Sequence, residues 1–236
     1  MDKNALSYHA AQDSRIGFQL PASGTTTQSK LPEAGCRKPC FNNYMPKPLR
    51  RSRKKTKSPK ARLLSSRIVY RGPVFSVSTD YVQEPGGIRA RRDVIRHSGS
   101  VVVLAVDDSS KPPRILIERQ YRHAANDYLW ELPAGRIDPG EQEIHAAKRE
   151  LLEETGYAAA KWRRILKFYA SPGFVAETMA VFLATGLRAG IAQPEEDEII
   201  HKRLVPLPQA VSMVMRGTIR DSKTISSVLW LDHHLR

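Results

Sequence analysis

The sequence predicts an α/β (α+β) layered domain over residues 66–236, behind a basic arm over residues 1–65. Three observations carry this. Residues 1–65 hold 14 Lys/Arg against 3 Asp/Glu, whereas the rest of the 236-residue chain holds 24 against 21, so the formal charge of +14 belongs mostly to the arm. From Arg67 onward, short alternating runs of β-branched and aromatic residues succeed one another. One helical run, about Gln142 to Thr155, is closed by Gly156, where a C-cap glycine is expected. Strands and helices mixed in this way indicate packed layers, and 41% hydrophobic residues supply a core.

The arm is rich in Pro, Ser, Thr, Lys and Arg and shows no sustained apolar period, so it reads as disordered. Its densest stretch, Leu49–Arg62, has no interleaved aromatic residues. That favours a solvated arm over a nucleic-acid tether, which stays open as the alternative. Met45 offers a second start, which would leave residues 1–44 untranslated. Both cysteines, Cys36 and Cys40, lie in the arm, too few for a four-ligand zinc site. They read as thiols of a reducing, cytoplasmic compartment. No apolar leader follows Met1 and no run of about 18 apolar residues occurs, so neither a secretory signal nor a membrane-spanning helix is expected.

Along the domain, strands are predicted at Ile68–Tyr70, Phe75–Tyr81 and Ile88–Arg96, with Gly86-Gly87 turning the second into the third. Val101–Val106 is continuously apolar, as in a strand buried on both faces. Ile115–Tyr121 and Trp130–Leu132 follow, then a break at Pro133-Ala134-Gly135. After the helix come strands at Trp162–Tyr169 and Met179–Thr185, an acidic loop at Pro194–Glu198, and helices at Leu207–Arg216 and Thr224–Leu235.

The chemistry concentrates between Gly135 and Tyr157. On the helix, Ile144, Ala147 and Leu151 share one face, at i, i+3 and i+7, and would pack on a sheet. Glu150, Glu153 and Glu154 share another, at i, i+3 and i+4, where like charges weaken a helix by a few tenths of a kcal/mol per pair. A divalent cation reverses that sign, because hard ions take clustered oxygen ligands. Arg149 neutralises part of the cluster without metal. Gly135 permits a turn closed to other residues and lets the Ala134 carbonyl approach a metal. Glu141 sits at the helix start, where negative charge is favourable.

This segment resembles the Nudix box. Gly135, Glu141, Arg149-Glu150-Leu151, Glu153-Glu154, Gly156 and Tyr157 stand at its positions, Tyr157 in place of an aliphatic residue. The resemblance implies a Nudix α/β/α sandwich over residues 99–236 and a small N-terminal antiparallel β-sheet over residues 66–98. It also implies Mg²⁺ or Mn²⁺ and hydrolysis of a pyrophosphate. Glu150, Glu154 and the Ala134 carbonyl would be metal ligands, with Glu153 and Arg149 beside them in catalysis.

Outside the box, Glu118–Arg122, Trp130–Gly135, Ser171–Phe174 and Asp221–Thr224 are similar to the ADP-ribose pyrophosphatase subgroup. That similarity implies cleavage of ADP-ribose to AMP and ribose 5-phosphate by a homodimer joined through the small sheet. Arg92 and Arg122 are candidates for the substrate phosphates, and Glu131 and Glu177 for further substrate contacts. In the acidic loop, Glu196 would position the attacking water and Glu198 supply an extra ligand. Rivals are hydrolysis of another nucleoside diphosphate derivative, such as GDP-mannose, a UDP-sugar or NADH, and a nucleic-acid-binding regulator built on the same fold.

Overall fold

A computed structural model describes residues 59–192 and 200–236. The arm through residue 58 and the acidic loop at residues 193–199, with Glu196 and Glu198, lie outside the described residues.

The chain opens with three strands, β1 (Arg62–Arg71), β2 (Ser76–Gln83) and β3 (Arg89–Arg96), in an antiparallel sheet of order β1-β2-β3. β1 starts earlier than the alternation at Ile68 suggests, because its ladder continues through Leu63↔Val82 and Arg62↔Gln83. Backbone pairing extends a strand regardless of side-chain pattern. Gly87, at φ +85°, turns β2 into β3 as predicted.

The second sheet has seven strands: β4 (Ser100–Asp107), β5 (Arg114–Arg122), β6 (Asp127–Glu131), β7 (Ala134–Arg136), β8 (Tyr157–Tyr169), β9 (Thr178–Ala189) and β10 (His201–Pro206). Its main path is β10-β5-β4-β9-β8, with β6 on β5 and β7 on β4; only β4 and β9 run parallel. The run Val101–Val106 is buried on both faces, as its composition predicts. Val101, Val103 and Ala105 meet Ala146, Ala147 and Leu151 of helix α1 (Glu143–Thr155). Val102, Leu104 and Val106 face the other way, towards α2 (Leu207–Met215) and α3 (Ser222–Leu235), through Leu207, Met213, Val228 and Leu231. The result is a helix–sheet–helix sandwich with a smaller sheet at its N-terminal end.

Strands β8 and β9 run longer than expected, β8 from Tyr157 and β9 to Ala189, and two further strands, β7 and β10, were not expected. The break at Pro133-Ala134-Gly135 contains β7, which pairs with Ser100–Val102. β5 pairs with β4 only at Val106 and Asp107. β4 therefore changes partner along one edge, from β7 at Ser100–Val102 to β5 at Val106 and Asp107. β10 was not predicted because His201-Lys202-Arg203 reads as polar loop; it is an edge strand, where basic residues discourage further pairing.

Candidate active site

Helix α1 builds the site because its two faces have different tasks. Its apolar face anchors it to the sheet, and its acidic face then points to the opening beside β7. Gly156 ends it at φ +70°, and the Gly156 N–H closes on the Leu152 carbonyl at 2.7 Å.

Arg149 organises the acidic face. Its Nε and Nη2 donate to Glu141 at 3.1 and 3.0 Å, and its Nη1 donates to Glu150 at 2.8 Å and Glu153 at 3.0 Å. Nη2 also reaches the Arg136 carbonyl, which ties the helix to β7. The Glu141 hydrogen bonds hold the guanidinium pKa above its ordinary value, and the same bonds lower that of the Glu141 carboxyl. Glu154 is 4% exposed and accepts the Ala134 N–H at 3.0 Å. Gly135 leaves room for a ligand carboxylate: a Cβ there would lie 2.0 Å from the Glu150 carboxyl, which would have to swing out of its place. Glu150, Glu153 and Glu154 thus line one cavity of about 270 Å³ with Ala134 and Gly135.

Among the described residues, no three His, Cys, Asp or Glu side chains form a finished metal shell. Arg149 stands between Glu150 and Glu153 as their counter-charge. The donor set nevertheless fits a hard divalent ion, with three carboxylates on one cavity and a backbone kept bare of a Cβ beside Glu150.

A second cavity, of about 430 Å³, adjoins the first through Ala134, Gly135 and Arg136. Arg122, Glu131 and Glu177 line it. Arg122 grips Glu131 bidentately, Nε to Oε1 and Nη2 to Oε2, each at 2.9 Å. Burial works against the Glu131 carboxylate, yet the Arg122 hydrogen bonds and the Arg122 and Lys223 charges outweigh it and lower its pKa. Glu177 accepts the Ser100 hydroxyl at 2.6 Å and lies 3.8 Å from His97 Nδ1. Arg92 lies apart from these groups: it pairs with Glu84 at 2.7 Å on the small sheet and lines neither cavity.

Four residues here, Glu118, Asp221, Lys223 and Thr224, lie in stretches that carry the family resemblance but were given no role of their own. Glu118, on β5 opposite Glu131, is fully buried; burial works against the Arg122 charge, the Glu131 hydrogen bonds and charge raise its pKa, and the Glu118 and Glu154 charges add to them. Lys223 donates to Glu131, and lies 3.1 Å from Asp221. Asp221 caps α3 by accepting from the Thr224 N–H, and Thr224 Oγ1 in turn accepts the buried Leu132 N–H at 2.8 Å. An Asp before a helical run signals an N-cap, but nothing local signals the cluster across to β6.

A family profile described as NUDIX domain matches residues 96–227. The chain is 38% identical over 170 residues to an ADP-ribose pyrophosphatase of Mycobacterium tuberculosis, covering 70% of this chain and 80% of that protein. It is 35% identical over 147 residues to a GDP-mannose pyrophosphatase of Salmonella paratyphi B, covering 58% and 75%. A crystal structure of an ADP compounds hydrolase superposes with a TM-score of 0.65 at 22% identity, covering 75% of this chain and 95% of that one, a likeness of fold.

Proposed function

Because the chain belongs to the Nudix family and is a pyrophosphohydrolase of nucleoside diphosphate derivatives, we propose that its substrate is ADP-ribose, cleaved with Mg²⁺ (or Mn²⁺) to AMP and ribose 5-phosphate. The observation that carries the reading is the convergence of Glu150, Glu153 and Glu154 on one cavity, with the Arg122–Glu131 pocket adjoining it. The relative from M. tuberculosis, named for ADP-ribose, is more alike over a longer stretch than the one named for GDP-mannose.

In this reading Glu150, Glu154 and the Ala134 carbonyl hold the ion. Bound there, it supplies neutralisation of phosphate oxygens and a water of lowered pKa. Arg122 orients the diphosphate. Glu153 lines the cavity beside the ion, and Arg149 fixes Glu150 and Glu153 through its two Nη1 contacts. Glu196 takes the proton of the attacking water, and Glu198 adds a ligand. Glu177 contacts the substrate within the second cavity. The exposed apolar side chains of β1, among them Leu63, Ile68, Val69 and Tyr70, support a dimer joined through the small sheet. Arg92 would then serve a site only across that interface.

The test is a panel of ADP-ribose, GDP-mannose, a UDP-sugar and NADH with Mg²⁺, products identified, on wild type and Glu154→Gln side by side. Preferred turnover of ADP-ribose, with a loss of roughly 100-fold or more in Glu154→Gln, is expected. A preference for GDP-mannose overturns the substrate, and equal AMP from both proteins overturns the metal assignment.

A further inference from the structure

Lys223 is an unlikely residue for its place. It is the second residue of α3, where the helix dipole disfavours a cation, and it is 7% exposed. An apolar side chain of similar length would fill the space without a desolvated charge. What Lys223 gains is two carboxylates: its Nζ donates to Glu131 Oε2 and lies 3.1 Å from Asp221 Oδ1. Lys223, Asp221, Glu131 and Arg122 all line the second cavity. Together they bring two cations and two anions to one stretch of its wall.

The cluster matters because of what Arg122 has left to offer. Glu131 engages its Nε and Nη2, and among the described residues no hydrogen bond uses its Nη1. With Arg122 as its sole counter-charge, Glu131 would cancel the arginine's field, and Asp221 would make the wall net negative towards an incoming diphosphate. Lys223 approaches the Glu131 carboxylate from the α3 side and neutralises that excess.

We infer that Lys223 is a positioning residue for diphosphate binding: it balances Glu131 so that the Arg122 guanidinium stays fixed in place and electrostatically available to the substrate's phosphates. The inference deepens the proposed function and rests on its placing of the diphosphate beside Arg122.

The test measures ADP affinity by calorimetry with Mg²⁺, and KM and kcat for ADP-ribose, on the full chain. The proteins are wild type, Lys223→Met, Lys223→Arg, Glu131→Gln and the double variant Glu131→Gln/Lys223→Met. Lys223→Met should weaken ADP binding and raise KM by roughly tenfold, with kcat changed far less, as for loss of one charge-assisted contact. Lys223→Arg should recover most of the affinity. In the double variant, loss of the Glu131 charge should make loss of the lysine charge nearly neutral, a coupling that packing alone does not produce. Should Lys223→Met fail to fold, Lys223→Gln carries the same expectation. Unchanged ADP affinity in the lysine variants, or strictly additive effects in the double variant, overturns the inference. Failure of the proposed function is separate: wild type would then bind ADP, with the lysine effect intact, yet hydrolyse no ADP-ribose.

Discussion

The two charge clusters beside β7 solve one problem in different ways. The Glu141–Arg149–Glu150–Glu153 cluster is local: one turn and one helix supply every member, within 13 positions of sequence (Glu141 to Glu153). The Arg122–Glu131–Lys223 cluster is assembled from β5, β6 and α3, and Glu131 and Lys223 are 92 positions apart. The local cluster leaves Glu153 partly in water and suits an exchangeable ion; the assembled one is nearly closed to solvent around Glu131 and suits a fixed scaffold. Local clusters are set by helix spacing, whereas assembled ones depend on the whole sandwich being in register.

The largest effect should come from the tightest contact of the local cluster. In Gly135→Ala, the new Cβ meets the Glu150 carboxyl at 2.0 Å, and either Glu150 or β7 must move. A misplaced ligand near the reacting centre costs about 100-fold in rate. We expect such a loss of kcat/KM with an unfolding temperature close to wild type, measured by kinetics and thermal melts together. Wild-type activity in this variant would show that the local cluster tolerates displacement and would erase its contrast with the assembled one.

That contrast also explains what was legible in the sequence. Gly135, Glu141, Arg149, Glu150, Glu153, Glu154 and Gly156 are fixed by spacing along a single turn and helix, and spacing is visible in one dimension. The continuous run Val101–Val106 likewise announced a strand buried on both faces. Glu118 and Lys223 gave no such signal, because one sits among strand residues and the other at the start of a helix, and only cross-strand and helix–strand packing gives them partners. β7 was hidden by its own chemistry: Pro133 and Gly135 read as a break, although the bare backbone at Gly135 is what leaves the Glu150 carboxyl its present place beside the strand.

A second effect, on stability rather than on rate, lies in the assembled cluster and its pH dependence. Glu131→Gln leaves Arg122 and Lys223 without their shared carboxylate, and removing one partner of a buried ion pair costs about 3–5 kcal/mol. The wild-type carboxyl has its folded pKa depressed below the ordinary 4.5. Its contribution is therefore complete above about pH 4.5 and is lost as pH falls through the folded value. Denaturant unfolding of both proteins between pH 7 and about pH 3 should show the stability gap narrowing on acidification. A gap that stays constant would mean that Glu131 acts by packing, like an apolar residue.

The smallest effect tests whether the assembled cluster hangs on a single hydroxyl. Thr224 Oγ1 accepts from the fully buried Leu132 N–H and donates to Asp221 Oδ2 at 2.6 Å, so it joins the end of β6 to the start of α3. Thr224→Val keeps the shape and removes both bonds, leaving a buried donor unsatisfied at a cost of about 1–3 kcal/mol. Thr224→Ser keeps the oxygen and loses a methyl, a change of about 1 kcal/mol. If the hydroxyl sets the register between Glu131 and Lys223, valine should weaken ADP binding more than serine does, even where the two melt at similar temperatures. Equal ADP affinities would instead place the register in the apolar packing of α3, through Val228 and Leu231, and would make the assembled cluster as tolerant of a lost hydrogen bond as the sandwich beneath it.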